Sequence, residues 1–307
     1  MGRSPVTVRA PAKVNLALAV GPRRPDGYHD LATVFHALSL YEEVVATTAE
    51  DVVVTVEGPG ADLVPLDEDN LAVRAARALA AYAGVDARVH LHLRKGVPVA
   101  GGMAGGSADA AASLVACDAL WHTGLGRAEL QTLAGRLGSD VPFALHGGTA
   151  VATGRGERLT PALVSGTYHW VVAVPDGGLS TPEVYGELDR MRERDRDRAG
   201  AEADGPVVPP RLLAALRAGD AEALGSTLAN DLQDAACRLR PGLRDTLEAG
   251  RDLGALGAVV SGSGPSCVFL ARDGDHALDL ALGLAAAEVC RDVQRATGPA
   301  PGARVVA

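Results

Sequence analysis

Four glycines between residues 101 and 106 constrain this chain more than any other feature of its sequence. A backbone that passes close to a bulky ligand needs residues without a Cβ atom. The helix that we expect to follow offers unpaired N–H groups and a partial positive charge at its first turn. Together these features favour an anion site, most often one for phosphate. A tight turn would need only two glycines, so a plain turn is the weaker interpretation.

The segments on either side of this glycine loop have the periods of a strand and a helix. Residues 88–94 alternate apolar and polar side chains, which predicts a half-buried strand. Residues 110–121 repeat apolar side chains at helical spacing. We expect Ser107 to cap that helix and Asp109 to lie in its first turn. The order strand, glycine loop, helix suits phosphate binding, although neither the Walker pattern nor G-x-G-x-x-G occurs in this stretch.

Composition argues against several classes of protein. The length of 307 residues favours about two domains, and the 47% of hydrophobic residues suits a large core. The net charge of -9 argues against a general nucleic-acid or membrane surface. No apolar run reaches the length of about 18 residues that a membrane span needs, and residues 1–5 lack an apolar signal region. We therefore expect a cytoplasmic protein without nucleic-acid or membrane partners.

The cysteines point to the same compartment. They are far apart in the sequence and form no C-x-x-C pair, which favours free thiols in a reducing cytoplasm over disulfides or a zinc site. These residues are Cys117, Cys237, Cys267 and Cys290.

Only two of the 29 basic residues are lysines, Lys13 and Lys95. In a chain that otherwise uses arginine, a lysine indicates a position that needs the compact ammonium group. Lys13 and Asn15 fall on the polar face of a strand predicted over residues 10–20. A cation and an amide flanked by alanines favour the wall of a pocket. The alternative is a solvated strand face.

Further candidate residues lie where the chain turns. Tyr28 and His29 follow Gly27 in a turn-rich stretch, which predicts that both are displayed from a loop. Asp140 begins a new turn before Val141, Pro142 and Phe143, a poor position for a plain surface charge. It is either an acid at a helix N-terminus or a catalytic carboxylate.

Periodicity and turn signals predict the remaining elements. Residues 190–205 carry mixed charges and are interpreted as a mobile surface insertion, and residues 296–307 as a loose tail. The predicted strands cover 5–10 (an edge strand), 10–20, 32–57 (two or three strands) and 169–175, with a hairpin over 146–159 and a second glycine motif at 257–269 between two apolar strands. The predicted helices cover 70–84 (capped by Asn70), 127–137, 209–218, 220–230, 241–252 and 275–289, and one more begins at Thr181 and Pro182.

Three motifs in this order resemble the GHMP kinases, the superfamily of galactokinase, homoserine kinase and mevalonate kinase. They are Pro-Ala-Lys-Val-Asn-Leu at 11–16, the glycine loop at 98–112 and the second glycine motif at 257–269. Four shorter motifs narrow the resemblance to members that act on a cytidine diphosphate derivative. They are Arg-Pro-Asp-Gly-Tyr-His at 24–29, Gly-Ser-Asp-Val-Pro-Phe at 138–143, Ser-Thr-Pro-Glu-Val-Tyr at 180–185 and Asn-Asp-Leu-Gln at 230–233.

The resemblance implies an α+β, two-domain GHMP kinase-like fold. The N-terminal nucleotide-binding domain would cover residues 1–160 and the C-terminal α/β domain residues 161–307, with the active site in the cleft between them. The implied activity is ATP-dependent phosphorylation of an alcohol group on a small cytidine diphosphate substrate, with Mg²⁺ bridging the ATP phosphates. A monomer or weak homodimer is expected.

The resemblance also implies roles for individual residues. Asp140 would accept the proton of the attacking hydroxyl, and Lys13 would stabilise that oxygen or orient Asp140. Substrate would be held by Asn15, Tyr28, His29, Thr181 and Tyr185, while no protein ligand is assigned to the metal. The ATP phosphates would be held by Pro98, Val99, Ala100, Gly101, Gly102, Met103, Ala104, Gly105, Gly106, Ser107 and Ala108.

The chain departs from the family pattern at three positions. Ala108 removes a hydroxyl that could contact phosphate or Mg²⁺. Ala104 replaces a glycine, so we expect a negative φ at that position. Pro265 stands where a smaller residue is common.

Two alternatives stay open at this point. A related kinase acting on homoserine or a mevalonate-type acid would keep the glycine loop and the acid but would not need a nucleobase site. A non-catalytic nucleotide-binding protein would keep the glycine loops without a lysine and an aspartate directed at one point.

Overall fold

The computed structural model of the chain describes residues 4–199 and 205–306. Its strands are β1 (Val6–Arg23), β2 (His29–Thr47), β3 (Val52–Glu57), β4 (Val89–Arg94), β5 (Thr149–Gly154), β6 (Arg158–Pro161), β7 (Tyr168–Val174), β8 (Ala229–Asn230), β9 (Gly257–Val260), β10 (Cys267–Ala271), β11 (Asp292–Gly298) and β12 (Arg304–Val305). Its α-helices are α1 (Leu71–Ala83), α2 (Gly105–Trp121), α3 (Arg127–Leu137), α4 (Val141–His146), α5 (Thr181–Ala199), α6 (Pro210–Ala218), α7 (Ala221–Gly225), α8 (Gln233–Leu239), α9 (Gly242–Asp252) and α10 (Gly274–Ala286).

The larger sheet has the order β12-β1-β2-β4-β3. The long strand β2 pairs with β5 through residues 31–36 and with β4 through residues 43–47, so it divides between two neighbours. Helices α1 and α2 cover this sheet with a core rich in alanine, in which Leu79, Leu91 and Leu114 are fully buried. Because alanine allows close approach, α2 can lie directly against β1 and β2 and start beside them.

The second sheet is antiparallel, with the order β11-β7-β10-β9. Strands β7, β9 and β10 are nearly all apolar, as expected for buried strands, whereas the edge strand β11 is mostly polar. Trp170 and Phe269 are completely buried. The α+β fold with two sheets agrees with the expected class. The division at residue 160 stays a prediction, and β8 and β12, which come after it, pair with β1 in the first sheet.

Most predicted elements are present. The strand before the glycine loop, the helix over 127–137, the 146–159 hairpin and the strand–loop–strand unit at 257–269 all form. Asn70 caps α1 by accepting a hydrogen bond from the Ala72 amide at 2.8 Å. The cysteines are free thiols, and all but Cys290 are buried.

Four local predictions are wrong. Helix α2 begins at Gly105, so Ser107 is not its cap and Asp109 lies beyond its first turn. The predicted tail forms β11 and β12, because its residues pair with distant strands β7 and β1. The predicted 220–230 helix ends at Gly225, and α8 was not predicted.

The fourth correction concerns the charged run at 190–205, which was interpreted as a mobile surface insertion. Residues up to Ala199 continue helix α5, so this part belongs to a regular element and is not an insertion. Residues 200–204 lie outside the described residues. No helix in the described ranges has the length and apolar character needed to cross a membrane.

Candidate active site

Lys13 lies near the middle of β1, with only 6% of the residue exposed. Its Nζ donates hydrogen bonds to Asn15 Oδ1 at 2.7 Å and to the Gly102 carbonyl oxygen at 2.9 Å. Burial lowers the pKa of Lys13, and the negative charge of Asp140 partly opposes that shift. An ammonium group has three protons, so two are used by the protein and one is left for a ligand in the cleft.

The orientation of Asn15 follows from its other neighbour. The Thr33 hydroxyl donates to the Ala17 carbonyl oxygen at 2.6 Å, so it must accept from Asn15 Nδ2, which lies 2.8 Å away. This bond turns Asn15 Oδ1 toward Lys13. The predicted substrate residue Asn15 is thus placed beside the lysine, and its contact with substrate stays a prediction.

Asp140 is brought to the same point by α4. A carboxylate oxygen of Asp140 lies 4.0 Å from Lys13 Nζ, and the Asp140 side chain is 30% exposed. Asp140 occupies the N-cap position of α4, but its side chain makes no capping hydrogen bond. The following Val141, Pro142 and Phe143 are buried, so they fix the helix while the carboxylate faces the cleft.

The glycine loop meets the second glycine motif beside Lys13. Ser261 Oγ donates a hydrogen bond to the Gly102 carbonyl oxygen at 3.1 Å. The Ser266 amide donates one to the Gly101 carbonyl oxygen at 3.2 Å. A Cβ atom at Gly102 would collide with the Ser261 carbonyl oxygen, and Gly102 has φ +76°. The first two glycines are therefore required by the contact between two loops.

The last two glycines differ from each other. A Cβ atom at Gly105 would lie 2.8 Å from Glu42 Oε1, whereas one at Gly106 would meet no atom nearer than 3.8 Å. The first i→i−4 bond of α2 runs from Ala108 N to Ala104 O, so the amides of residues 105–107 precede it and are free to bind an anion. Only Gly106 keeps the space open that a phosphate would enter.

Two departures from the family pattern are explained here. Ala104 has φ +63°, so the expectation of a negative φ is wrong. It occupies the N-cap of α2, where the left-handed conformation turns the chain into the helix. Ala108 is fully buried, so its side chain faces the core and not the phosphate side of the loop.

Lys95 lies in a buried cluster with two acids beneath the glycine loop. Its Nζ forms an ion pair with Glu42 Oε1 at 2.8 Å and another with Asp109. The Gly96 amide donates to Glu42 Oε2 at 3.1 Å. The cluster joins β2, the end of β4 and the second turn of α2, so it fixes the base of the loop. Two carboxylates share one cation here, which leaves a surplus negative charge.

This surplus predicts how stability depends on pH. Burial raises the pKa of Glu42 to about 8, with a further contribution from the charge of Asp109. The folded state therefore holds a proton that the unfolded state releases near 4.5. The contribution of Glu42 to the free energy of unfolding is fully present below pH 4.5 and is lost as the pH rises toward 8. Unfolding by urea between pH 5 and 9 should show that Glu42→Gln removes this alkaline loss.

Glu43, the next residue, provides a control because its effect on stability changes with pH in the opposite direction. Despite partial burial, hydrogen bonds from Arg94 and Arg9 hold the pKa of Glu43 below its usual value. Its stabilisation is present above the unfolded pKa and is lost on acidification. Glu43→Gln should leave the alkaline slope as in the original protein. Parallel curves for the original protein and Glu42→Gln would contradict the assignment.

The predicted nucleobase residues line a second cleft of about 620 Å³. Tyr28 is 55% exposed, and the Arg155 guanidinium lies 5.2 Å from its ring centroid. His29 is not displayed from a loop: it is the first residue of β2 and is buried. Its ring lies 5.1 Å from that of Tyr185 with a tilt of 37°.

Thr181 and Tyr185 connect this cleft to the space around Lys13. Both residues, together with Arg155, line the 620 Å³ cleft and the adjoining space of about 260 Å³ that contains Lys13 and Asp140. The Thr181 and Ser263 hydroxyl oxygens are 2.8 Å apart, which ties α5 to the second glycine motif. A third space of about 340 Å³ lies along Pro98–Ala104 and the start of α2. A ligand spanning the first two spaces would bring its far end to Lys13.

Sequence reasoning missed several residues of this arrangement. Thr33, Glu42, Arg155 and Asp189 were not singled out. The sequence partly indicated Glu42, because it is an acid at a position of β2 where the alternation of side chains predicts an inward orientation. Its partner, 53 residues away, depends on strand register. In the described ranges, no group of three or more His, Cys, Asp or Glu side chains is placed to hold a metal ion.

Two sequence profiles match the chain. They are described as "GHMP kinases N terminal domain", over residues 70–148, and "GHMP kinases C terminal", over residues 212–289. A protein named 4-diphosphocytidyl-2-C-methyl-D-erythritol kinase from Streptomyces avermitilis is 58% identical over 98% of this chain and 99% of its own length. One of the same name from Salinispora arenicola is 57% identical over 98% of this chain and 94% of its own length.

Two solved structures are also similar to the chain. A crystal structure titled 4-(cytidine 5'-diphospho)-2C-methyl-D-erythritol kinase is 36% identical, with a TM-score of 0.76 over 97% of this chain and 98% of its own. A homoserine kinase from Cytophaga hutchinsonii is 20% identical with a TM-score of 0.76, over 99% and 98%. At that identity the second similarity concerns the fold alone.

Proposed function

The chain belongs to the 4-diphosphocytidyl-2-C-methyl-D-erythritol kinase family of the GHMP kinases, and on that premise we propose the reaction and the residues that perform it. The enzyme transfers the γ-phosphoryl group of ATP to the 2-hydroxyl of 4-diphosphocytidyl-2-C-methyl-D-erythritol in the non-mevalonate route to isoprenoid precursors. The products are ADP and the 2-phosphate. The observation that carries this proposal is the junction of the 620 Å³ aromatic cleft with the space that holds Lys13 and Asp140.

The proposed transfer depends on position and charge. Asp140 accepts the proton of the 2-hydroxyl as its oxygen forms a bond to the γ-phosphorus. The bond between that phosphorus and the bridging oxygen breaks, and ADP leaves with the electron pair. Lys13 is held by Asn15 and Gly102, and its remaining proton stabilises the attacking oxygen. Such positioned groups account for most of the acceleration of phosphoryl transfer.

The glycine loop fits the phosphates of ATP. The free amides at the start of α2 and the open space at Gly106 form a cradle that a Cβ atom would fill. Ser107, beside them, offers a hydroxyl oxygen of the kind that suits Mg²⁺. When bound, Mg²⁺ would neutralise charge on the phosphate oxygens. The cytosine would lie among Tyr28, His29 and Tyr185, and Thr181 would bind the part of the substrate between the two clefts.

An ADP-release assay with Mg·ATP and a panel of alcohols tests the reaction. We expect release with the cytidine diphosphate substrate and none with homoserine or mevalonate. Release with either of those two would favour a related kinase, and binding of ATP without ADP release would favour a nucleotide-binding protein. We further propose that the enzyme acts in the cytoplasm as a monomer or weak homodimer, without nucleic-acid or membrane partners.

Tyr28 provides a test of the nucleobase site. Stacking of one base on an aromatic ring is worth about 1–3 kcal/mol, so Tyr28→Ala should raise the KM for the cytidine substrate about 5–150-fold. The KM for ATP and the melting temperature should hardly change, because the Tyr28 side chain is exposed and lies outside the glycine loop. Kinetics with each substrate varied in turn measure both constants.

Tyr82 is a matched control for this substitution. It is also exposed, at 47%, but it lies on α1 and is bonded to Glu129. Tyr82→Ala should leave both KM values unchanged. If Tyr28→Ala raised the two KM values equally, Tyr28 would have no specific part in binding the cytosine.

A further inference from the structure

The wall of the 620 Å³ cleft contains an acid that the phosphoryl transfer does not use. Asp189 on α5 has one carboxylate oxygen 2.9 Å from His29 Nε2, across 160 residues of sequence. The His29 side chain is 5% exposed and that of Asp189 is 21% exposed, so the pair is largely shielded from water. A shielded histidine–carboxylate pair beside an aromatic cleft is suited to recognising a polar edge of a ligand.

The pair is held rigidly by the rest of α5. Arg192, one turn further along the helix, donates to the Val20 carbonyl oxygen at 2.7 Å and to that of Gly21 at 3.0 Å. Its guanidinium also bonds to Asp231 at 3.2 Å. These bonds anchor α5 to the end of β1, which pairs with the start of β2, where His29 lies. The Asp189 carboxylate is therefore fixed in position relative to the imidazole ring.

The chemistry of the pair determines what the ring offers to the cleft. An ionised carboxylate can only accept hydrogen bonds, so His29 must carry its proton on Nε2. In a neutral imidazole, Nδ1 is then an acceptor. Among the described residues, Nδ1 has no hydrogen-bond partner, and the ring lines the cleft. The ring thus offers an acceptor to a ligand group that donates.

We propose that Asp189 is a specificity-determining positioning residue, which holds His29 as the Nε2–H tautomer so that Nδ1 accepts a hydrogen bond from the exocyclic amino group of cytosine. This inference rests on the proposed cytidine substrate and adds the reason for choosing cytosine over uracil. Uracil has a carbonyl oxygen where cytosine has the amino group, so two acceptors would face each other. A site with a fixed hydrogen-bond acceptor rejects such an analogue strongly.

The substitution Asp189→Asn tests the proposal because an amide can donate as well as accept. An amide donor facing Nε2 would shift the ring proton to Nδ1. The ring would then offer a donor to the cleft, which favours uracil over cytosine. We expect the ratio of kcat/KM for the cytidine substrate over its uridine counterpart to fall about 10–100-fold, the usual effect of one mispaired buried hydrogen bond. The KM for ATP should stay unchanged. Glu193→Gln, an exposed acid on the same helix, should leave the ratio as it is.

Nitrogen-15 NMR of the imidazole rings gives a second measurement that does not depend on the Asp189→Asn variant. The His29 signal is assigned by its loss in His29→Gln, and the original protein should show protonation on Nε2 alone at pH 8. Protonation on Nδ1, or on both nitrogens, would overturn the proposal. So would a folded Asp189→Asn that keeps the original ratio. Failure of the original protein to phosphorylate the cytidine substrate would instead overturn the proposed function.

Discussion

Replacing Asp140 with asparagine should lower kcat by about 10²–10⁴-fold, the usual contribution of a positioned general base. An amide of the same shape keeps the packing of α4 but cannot accept the proton of the hydroxyl. The Asp140 side chain makes no capping bond and only a 4.0 Å ion pair with Lys13, so the protein should stay folded. ATP affinity should also stay the same, because the glycine loop is untouched. Steady-state kinetics, calorimetry with ATP and a melting curve measure the three quantities.

Asp86→Asn is the control for the loss of one carboxylate. Asp86 is exposed and paired only with Arg88 in the described part of the chain, so its substitution should leave kcat unchanged. A kcat for Asp140→Asn close to that of the original protein would show that Asp140 is not the base.

Lys13→Arg should lower kcat as severely as the loss of the base. The Lys13 ammonium is surrounded at short range by Asn15, Gly102 and Gly262, and a Cβ atom built on Gly262 would lie 3.0 Å from Nζ. A planar guanidinium cannot enter a space built for a compact ammonium. Near-normal turnover with arginine would mean that only the positive charge matters at this position.

Local patterns were sufficient to single out three candidate residues of the site. The alternation along β1 placed Lys13 and Asn15 on one face, and the position of Asp140 before a Val-Pro-Phe segment indicated either an acid at a helix N-terminus or a catalytic carboxylate. Both signals are carried within a few residues. The contact between Lys13 and Asp140, 127 residues apart, came only from the resemblance to known kinases, because no local pattern encodes it.

The residues that sequence reasoning missed depend on distant partners. Glu42 is buried because α2 and the end of β4 bring Asp109 and Lys95 to it, and β11 forms because β7 is available to pair with it. His29 follows a turn in sequence, yet Asp189 and Tyr185 from α5 cover it. Each of these outcomes is fixed by tertiary packing, which overrides the local preference for a loop or an exposed charge.

The glycine loop shows the same distinction at the scale of single atoms. Its glycines favoured a phosphate site, but the structure assigns three of them to protein contacts: Gly101 and Gly102 against the second glycine motif and Gly105 against Glu42. Their number in the sequence therefore overstates the direct evidence for a ligand. The evidence that remains is Gly106 and the free amides beside it.

Gly106→Val should consequently abolish ATP binding while the protein stays folded. Gly106 lies in the first turn of α2 with its missing Cβ directed at open space, and the nearest atom, Leu71 Cδ1, would be 3.8 Å away. The Cβ atom of a valine at this position would meet no obstacle within the protein, and the side chain would occupy the space that a phosphate would enter. Calorimetry with ATP and a melting curve are the measurements. Gly105→Val is less informative, because its Cβ would press on Glu42.

Gly242→Val is the matched control for this substitution. Gly242 is also in the first turn of a helix, α9, it is exposed, and a Cβ built on it meets nothing within 4 Å. Both variants bear the same cost of placing valine in a helix, so any difference in ATP binding comes from the location of the side chain. A folded Gly106→Val that binds ATP as tightly as Gly242→Val would show that the phosphates do not pass this point. The amides at the start of α2 would then have no ligand.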